Sequence, residues 1–250
     1  MSILLLIDDI LSLISPHICK GCHLVGSTYC PRCVFNTLEH YRPICLYCGC
    51  SCKSNNLCPK CKNKHKLFTD LISIGPRQGG LRHLVGDYKY HSEIASCRPL
   101  SQLVALKLTE IDANDDMAIV PIPTVEKHIR ERGFDHTLLL AKEISKLTHI
   151  KVNNKILIRL DNSSQHSLSA SQRKNNISHS LGLAKRYIEK DSQSGHERYK
   201  SLEASPTIIL LDDIWTTGST MEQAARLLKS LGSKRIIGVT ICYQPKQQSY

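Results

Sequence analysis

The sequence predicts an α/β fold in which a mostly parallel central sheet is flanked by helices, preceded by a small N-terminal cysteine-rich module. Short apolar runs rich in β-branched residues alternate with helical patterns through the second half of the chain. Ten of the twelve cysteines lie earlier, between residues 19 and 61. The 250 residues, 41% of them apolar, suffice for one α/β domain plus a small accessory module.

Residues 1–16 are predicted to form an amphipathic helix. Leu4, Ile7, Leu11 and Ile14 recur at helical spacing, so we expect this stripe to dock on the body of the protein, with a membrane surface as the alternative. No apolar run is long enough to span a bilayer, so stable membrane insertion is not expected. The stretch lacks a basic start and a small-residue cleavage site. We therefore expect a cytoplasmic protein, located at the inner face of the membrane if the helix binds there.

Residues 17–66 are predicted to form a double zinc ribbon. A two-residue gap between cysteines lets both thiolates reach one tetrahedral metal ion. Pairing in sequence order would make two four-cysteine sites and hold one or two structural zinc ions, although crossed pairing stays open. The segment contains four such pairs: Cys19 with Cys22, Cys30 with Cys33, Cys45 with Cys48, and Cys58 with Cys61.

Other uses of these cysteines are less favoured. A disulfide scaffold needs an oxidising compartment, and a redox Cys-x-x-Cys normally occurs once, at a helix start. An iron–sulfur cluster is the nearest alternative, because four cysteines bind it too. Cys50 and Cys52 have no assigned role: one of them could replace Cys48, or both are spare thiols. Cys97 and Cys242 are expected to be structural thiols.

The formal net charge of +11 favours a polyanionic partner such as nucleic acid. Two four-cysteine zinc sites would each add −2, because four thiolates meet one Zn²⁺, and would lower the charge to about +7. Aromatic residues make up only 5% of the chain, which leaves few platforms for stacking on single strands. The charge favours nucleic-acid contact without establishing it.

Residues 67–250 are predicted to form the α/β domain. Its strands are predicted at residues 67–74, 117–122, 156–160, 208–211 and 234–242, and its helices after residue 79, over residues 137–147 and after residue 220. The last two strands and the helix between them should form a β–α–β unit. The polar segment 191–205 is expected to be an exposed connection.

A basic loop is predicted after the strand at residues 117–122, because prolines end that strand. The loop carries His128, Arg130, Arg132 and Gly133. Basic side chains with a glycine suit a clamp for a diphosphate group. A solvated basic loop is the alternative.

The strongest functional signal follows the strand at residues 208–211. Two adjacent carboxylates, Asp212 and Asp213, are followed by a small-residue turn and a helix. Glycine lets the backbone approach an anion, hydroxyls add donors, and the helix contributes the positive end of its dipole. Carboxylates beside a phosphate loop make sense if the ligand also carries hydroxyls or a bound cation. The turn consists of Thr216, Thr217, Gly218, Ser219 and Thr220.

This Asp-Asp-x-x-Thr-Thr-Gly-x-Thr sequence resembles the phosphoribosyl pyrophosphate (PRPP) motif of type I phosphoribosyltransferases. The resemblance implies that the acidic pair holds the ribose 2′- and 3′-hydroxyls and that the loop holds the 5′-phosphate. A strand-to-helix turn in which the carboxylates only cap the helix is the alternative. The implied fold is that of the type I phosphoribosyltransferases.

The resemblance extends over most of the chain. The paired cysteines, Leu-x-Gly-x-Tyr-Lys-Tyr, Val-Pro-Ile-Pro, Arg-Gly-Phe-Asp, Gln-x-x-Leu-Ser-x-x-x-Arg and the PRPP motif occur in that order, which is similar to the ComF family, bacterial relatives linked to DNA uptake. Two segments depart from the family pattern. Tyr90 is followed by His91 and Ser92, and Asp135 and His136 stand where the family has Asn-Gln.

The resemblance implies binding of PRPP with Mg²⁺ and a displacement at ribose C1. Lys89, Tyr90 and Arg132 are expected at the pyrophosphate, so that the expected catalytic group consists of Lys89, Arg132, Asp212 and Asp213. Expected partners are PRPP or another ribose phosphate, single-stranded DNA, and DNA-uptake proteins such as a ComFA-like helicase. The alternatives are a non-catalytic nucleotide-sensing or partner-binding module and a nucleobase salvage enzyme. The acceptor of a transfer reaction is not identified.

Overall fold

The computed structural model describes residues 3–53, 55–90, 93–111, 116–160, 180–190, 197–199 and 207–245. Within this part of the chain the main sheet consists of the five strands β1 (Asp70–Pro76), β2 (Met117–Pro121), β3 (Lys151–Val152), β8 (Thr207–Trp215) and β9 (Ile236–Tyr243). Their order in the sheet is β1–β9–β8–β2–β3, and every neighbouring pair is parallel. This confirms the predicted parallel sheet.

Helices and two small hairpins surround this sheet. The hairpins pair β4 (Leu157–Arg159) with β5 (Leu181–Leu183), and β6 (Ile188–Lys190) with β7 (Glu197–Tyr199). The helices are α1 (Ile3–Ser12), α2 (Pro31–Glu39), α3 (Pro59–His65), α4 (Gly79–Tyr90), α5 (Cys97–Leu108), α6 (Glu126–Arg132), α7 (His136–Thr148) and α8 (Ser219–Ser230). Short 3₁₀ turns lie at Ile94–Ser96 and Lys185–Tyr187.

Strand β8 is the middle strand of the five-stranded sheet. It carries apolar residues on both faces, as parallel strands covered by helices do. Ile209 and Leu211 enter one core together with residues of α4, α5 and α7. Ile208 and Leu210 enter the other core together with residues of α8. The cysteine-rich segment contributes to both cores. We call residues 17–40 the first module, which packs on the α4 side, and residues 43–66 the second module, which packs on the α8 side.

The structure corrects three predictions about the α/β domain. Residues 126–132 form helix α6 rather than a loop, and the helix ends where Gly133 adopts a left-handed conformation with φ 80°. The predicted strand at residues 156–160 is shortened to β4, which pairs antiparallel outside the main sheet. Strand β8 continues to Trp215, so the acidic pair lies within the strand and not after it. Pairing with β9 extends β8 beyond its apolar run.

The N-terminal helix forms, but the predicted stripe does not dock. Ile7, Leu11 and Ile14 are 48%, 58% and 84% exposed, whereas Leu5 is fully buried. The side chain of Leu4 lies outside the described part. An ion pair between Asp9 and Arg98 of α5 attaches the helix to the body. Among the described residues, Leu5 and the ion pairs of Asp9 with Arg98 and of Asp8 with His17 hold the helix, while Ile7, Leu11 and Ile14 stay exposed.

Among the residues that the structure covers, no helix is long and apolar enough to cross a membrane. Cys97 and Cys242 are fully buried, as predicted for structural thiols. His91, Ser92, the Gln-x-x-Leu-Ser-x-x-x-Arg segment and, apart from residues 197–199, the segment 191–205 lie outside the described residues.

Candidate functional site

The cysteines come together in sequence order, as two groups of four. In each group the sulfur atoms all lie within 4.8 Å of one another. A tetrahedral zinc ion with bonds of about 2.3 Å requires sulfur–sulfur distances of about 3.8 Å. The distances for Cys19–Cys33, Cys22–Cys30 and Cys48–Cys58 are each 3.7 Å. Both groups therefore fit zinc: Cys19, Cys22, Cys30 and Cys33 in the first module, and Cys45, Cys48, Cys58 and Cys61 in the second.

Backbone amides support the sulfur atoms as they do in metal-binding knuckles. The amide of Cys30 donates to the sulfur of Cys19 at 3.3 Å, and that of Cys61 donates to Cys58 at 3.5 Å. Such donors stabilise thiolate ligands. Cys50 is exposed, and its sulfur lies 3.4 Å from that of Cys48, but it is not in the group of four. Cys52 also lies outside the group.

A cleft of about 450 Å³ lies near the carboxyl ends of β2 and β8, the edge at which α/β sheets bind ligands. Five residues that the sequence marked for catalysis or pyrophosphate binding line this cleft. They are Lys89, Tyr90, Arg132, Asp212 and Asp213. Lys89 and Tyr90 end helix α4, Arg132 ends α6, and the two aspartates lie on β8. Elements distant in sequence are thus brought to one site.

Asp213 is the most enclosed charge of the cleft, with 4% of its surface exposed. Its Oδ2 atom lies 2.7 Å from Lys89 Nζ and 2.8 Å from His136 Nε2. Burial alone would raise the pKa of Asp213, but the hydrogen bond from His136 and the charge of Lys89 hold this pKa well below its ordinary value. Asp213 is therefore a carboxylate at neutral pH.

His136 is a site residue to which the sequence analysis assigned no role. Arg132 Nη1 lies 2.9 Å from His136 Nδ1. Because a guanidinium only donates hydrogen bonds, Nδ1 accepts, and the proton of the neutral ring lies on Nε2, which donates to Asp213. His136 thus connects Arg132 to the acidic pair. The available signal was its departure from the family pattern, which could not show that the side chain is buried against Asp213.

Asp212 differs from its neighbour. Burial, followed by the charge of Asp213, raises the pKa of Asp212 to about 7. Its Oδ1 accepts the backbone N–H of Asp213 at 2.9 Å. Arg159 also lines the cleft, anchored by its Nε to the carbonyl of Pro123 at 2.8 Å. The sequence analysis did not select this arginine, since residues 156–160 were expected to be an ordinary strand.

The hydroxyl-rich turn lies between β8 and α8. Gly218 adopts φ +82°, and a methyl group placed on it would overlap the indole of Trp215, so both conformation and space favour glycine. Thr217 Oγ1 donates to Ser219 Oγ at 3.0 Å. Thr216, Thr217 and Ser219 are exposed, while Thr220 is partly buried. The turn presents hydroxyls and the start of a twelve-residue helix directly after β8, but the described residues that line the cleft do not include those of the turn.

The sequence is similar to a known domain family and to several named bacterial proteins. The family described as "Phosphoribosyl transferase domain" matches residues 147–249. Competence protein F of Haemophilus influenzae is 25% identical over 225 residues, which cover 87% of this chain and 92% of the relative. DNA utilization protein YhgH of Escherichia coli K12 is 26% identical over 209 residues, which cover 80% of this chain and 84% of the relative. Competence protein ComFC of Bacillus subtilis is 23% identical over 195 residues, which cover 76% of this chain and 72% of the relative. The chain is thus similar to these proteins over most of its length, and residues 147–249 match the phosphoribosyltransferase domain family.

The grouping of thiols predicts which cysteines determine zinc content. Cys50→Ser should keep two zinc ions per chain, whereas Cys58→Ser should lose the ion of the second module, because three thiolates no longer close the tetrahedron. Zinc is measured by native mass spectrometry of the purified full chain. Loss of zinc from the Cys50→Ser protein would instead make Cys50 a ligand.

The raised pKa of Asp212 predicts a pH-dependent stability. The folded protein keeps a proton that the unfolded chain releases above about pH 4, so this contribution is complete below that pH and is lost as pH rises through about 7. Asp212→Asn should therefore raise the free energy of unfolding at pH 8 by about 1 kcal/mol and change it less at pH 5. Urea unfolding at both pH values measures this, with the exposed Glu126→Gln as control. Equal effects at both pH values would contradict the assignment.

Proposed function

We propose that this homologue of competence and DNA utilization proteins binds PRPP or another ribose 5-phosphate and acts in DNA uptake, where it handles internalised single-stranded DNA. The convergence of Asp212 and Asp213 with Lys89 and Arg132 in one cleft carries the proposal. Cations and carboxylates meet in this cleft, and a phosphate-type turn follows β8, so the ligand is required to carry both anionic groups and hydroxyls. A ribose carrying phosphates meets this requirement.

Each part of the ligand has a matching group. Asp212 and Asp213 would accept hydrogen bonds from the ribose hydroxyls, and the turn from Thr216 to Thr220 would hold the 5′-phosphate. Lys89, Tyr90 and Arg132 would face the pyrophosphate. Lys89 is ion-paired with Asp213 at 2.7 Å, so its ammonium would turn from the carboxylate towards the ligand. The Mg²⁺ that accompanies PRPP would neutralise pyrophosphate charge.

Pentosyl transfer from PRPP to an unassigned acceptor is the reaction class that these groups suit, with positioning and electrostatics supplied by the protein. A non-catalytic sensor of ribose phosphates is the second candidate. It is favoured by the His136–Asp213 hydrogen bond and the Lys89 ion pair, which satisfy the buried carboxylate without a reacting substrate. A free-base salvage enzyme explains the two cysteine modules least well.

The second module supplies a surface for the proposed DNA contact. Four lysines on and just after α3 are exposed. Their spacing concentrates positive charge on one module, which suits a nucleic-acid backbone. A DNA-uptake protein of the helicase class is the alternative occupant. Thiolate zinc sites suit a reducing compartment, so we place this activity in the cytoplasm. The lysines are Lys60, Lys62, Lys64 and Lys66.

Titration of the zinc-loaded protein with PRPP and Mg²⁺ in a calorimeter tests the ligand. We expect saturable binding that is lost in the Asp212→Asn, Asp213→Asn double variant, because the ribose hydroxyls lose their charged acceptors. Zinc content should be unchanged. The Glu126→Gln variant, on the exposed part of α6, is the control. Absence of binding to the wild-type chain would refute the ligand assignment.

Salt dependence tests the DNA contact. Binding of single-stranded DNA should weaken steeply from about 50 to about 200 mM salt, and replacing Lys60, Lys62 and Lys64 by Gln should reduce the slope of log affinity against log salt by about 2. Fluorescence anisotropy measures both. Lys127→Gln with Arg130→Gln removes exposed charge elsewhere and should leave the slope near the wild-type value. DNA binding with an unchanged slope in the triple variant would exclude α3 as the contact.

A further inference from the structure

We propose that the two cysteine modules support different halves of the ribose-phosphate site. The second module would hold the turn that binds the 5′-phosphate, and the first would hold the end of helix α4 that meets the pyrophosphate. The inference rests on the proposed function of the cleft. It assigns positioning roles to Tyr47 and Lys20, which lie next to zinc ligands and do not touch the cleft.

The second module contacts Trp215 through Tyr47. Tyr47 lies between the ligands Cys45 and Cys48, and its ring meets the indole of Trp215 edge-on with centroids 5.4 Å apart. His65 stacks on the ring of Tyr47, with the two ring centroids 3.7 Å apart. His65 ends α3, the helix that carries Cys61. Both segments that supply the thiols therefore meet at one aromatic group.

Trp215 in turn packs against the turn from Thr216 to Thr220, which we call the phosphate turn. The indole is 2% exposed and leaves no room for a side chain on Gly218. At the far end of the turn, Glu222 Oε1 lies 3.5 Å from His65 Nδ1, and the backbone N–H of Glu222 donates to the carbonyl of Gly218 at 2.8 Å. The second module thus contacts the residue before the turn and the first turn of the helix after it.

The first module packs against helix α4 instead. Lys20 Nζ, adjacent to the ligand Cys19, lies 2.8 Å from Asp87 Oδ2 and 2.9 Å from Glu93 Oε2. Asp87 precedes Lys89 by two residues in the same helix. At the other end of α4 the backbones touch, since a Cβ atom on Gly80 would lie 2.9 Å from the Cα atom of Gly21. The first module therefore holds both ends of the helix that presents Lys89.

Zinc would make these supports effective, because four metal bonds fix the short knuckles that carry Tyr47 and Lys20. If zinc in the second module orders the phosphate turn, a bound ribose phosphate must strengthen zinc retention there by the same factor. The two modules would affect different ligands. Ribose 5-phosphate has the 5′-phosphate but lacks pyrophosphate, so its affinity does not depend on contacts between pyrophosphate and the end of α4.

Two variants that keep every thiol separate the two roles. We expect Tyr47→Leu to weaken ribose 5-phosphate and Mg²⁺–PRPP alike, by about threefold or more, because the edge-on aromatic contact is lost. Lys20→Met should weaken Mg²⁺–PRPP by about threefold or more and leave ribose 5-phosphate within about twofold, because only the ion pairs to the α4 side are lost. Calorimetry measures both ligands, and native mass spectrometry should find two zinc ions in each variant.

The results that would overturn the division of roles between the two modules are specific to each variant. Ribose 5-phosphate binding of wild-type strength by the Tyr47→Leu protein would overturn the role of the second module. Equal weakening of both ligands by Lys20→Met would overturn the division between the modules. If Tyr47→Leu loses zinc, Trp215→Leu breaks the same contact from the side of the turn, and normal ribose 5-phosphate affinity there would refute the inference. A wild-type chain that binds neither ligand would instead refute the proposed function.

Discussion

The buried carboxylate of Asp213 is the constraint on which the candidate site depends. A charge with 4% exposure is costly unless it is paired, and here Lys89 and His136 both approach the same oxygen. Satisfying that oxygen brings together the end of α4, the start of α7 and the carboxyl end of β8. Arg132 joins through His136 Nδ1. The hydrogen bonds and the ion pair of the buried Asp213 carboxylate therefore set the positions of the side chains around it.

The same constraint separates the two aspartates. Two adjacent carboxylates cannot both ionise cheaply in an enclosed site, and here Asp213 receives both the Lys89 ammonium and the N–H of His136. Asp212, which receives the backbone N–H of its neighbour, has its pKa raised to about 7 by burial and by the charge of Asp213. A ligand that brings hydroxyls or a cation would offset this repulsion, which is why an acidic pair can be tolerated beside a phosphate-type turn.

The cysteine modules are part of the cores on both faces of the sheet and are not merely appended to it. Cys19 and Cys33 pack with the α4 side, and Cys45, Cys58 and Cys61 pack with the α8 side. Because each module supplies buried surface to one of the two cores, zinc binding in a module would also stabilise the packing on that face of the sheet. The exposed lysines of α3 lie on the surface of the second module. A polyanion bound to them would not need to enter the cleft.

The sequence by itself determined the elements whose signals are local. The Cys-x-x-Cys spacing predicted the metal groups and the apolar run before Asp212 predicted the central parallel strand, because spacing and periodicity depend only on nearby residues. The phosphoribosyltransferase domain was implied by the resemblance of the ordered motifs to a known family. The tertiary structure decided what depends on distant contacts. Pairing with β9 extended β8 through the acidic pair, and α1 buries Leu5 while Ile7 and Leu11 stay exposed. Only folding placed His136 and Arg159 in the cleft and Tyr47 against Trp215, since no local pattern records which distant side chain a buried charge or ring will meet.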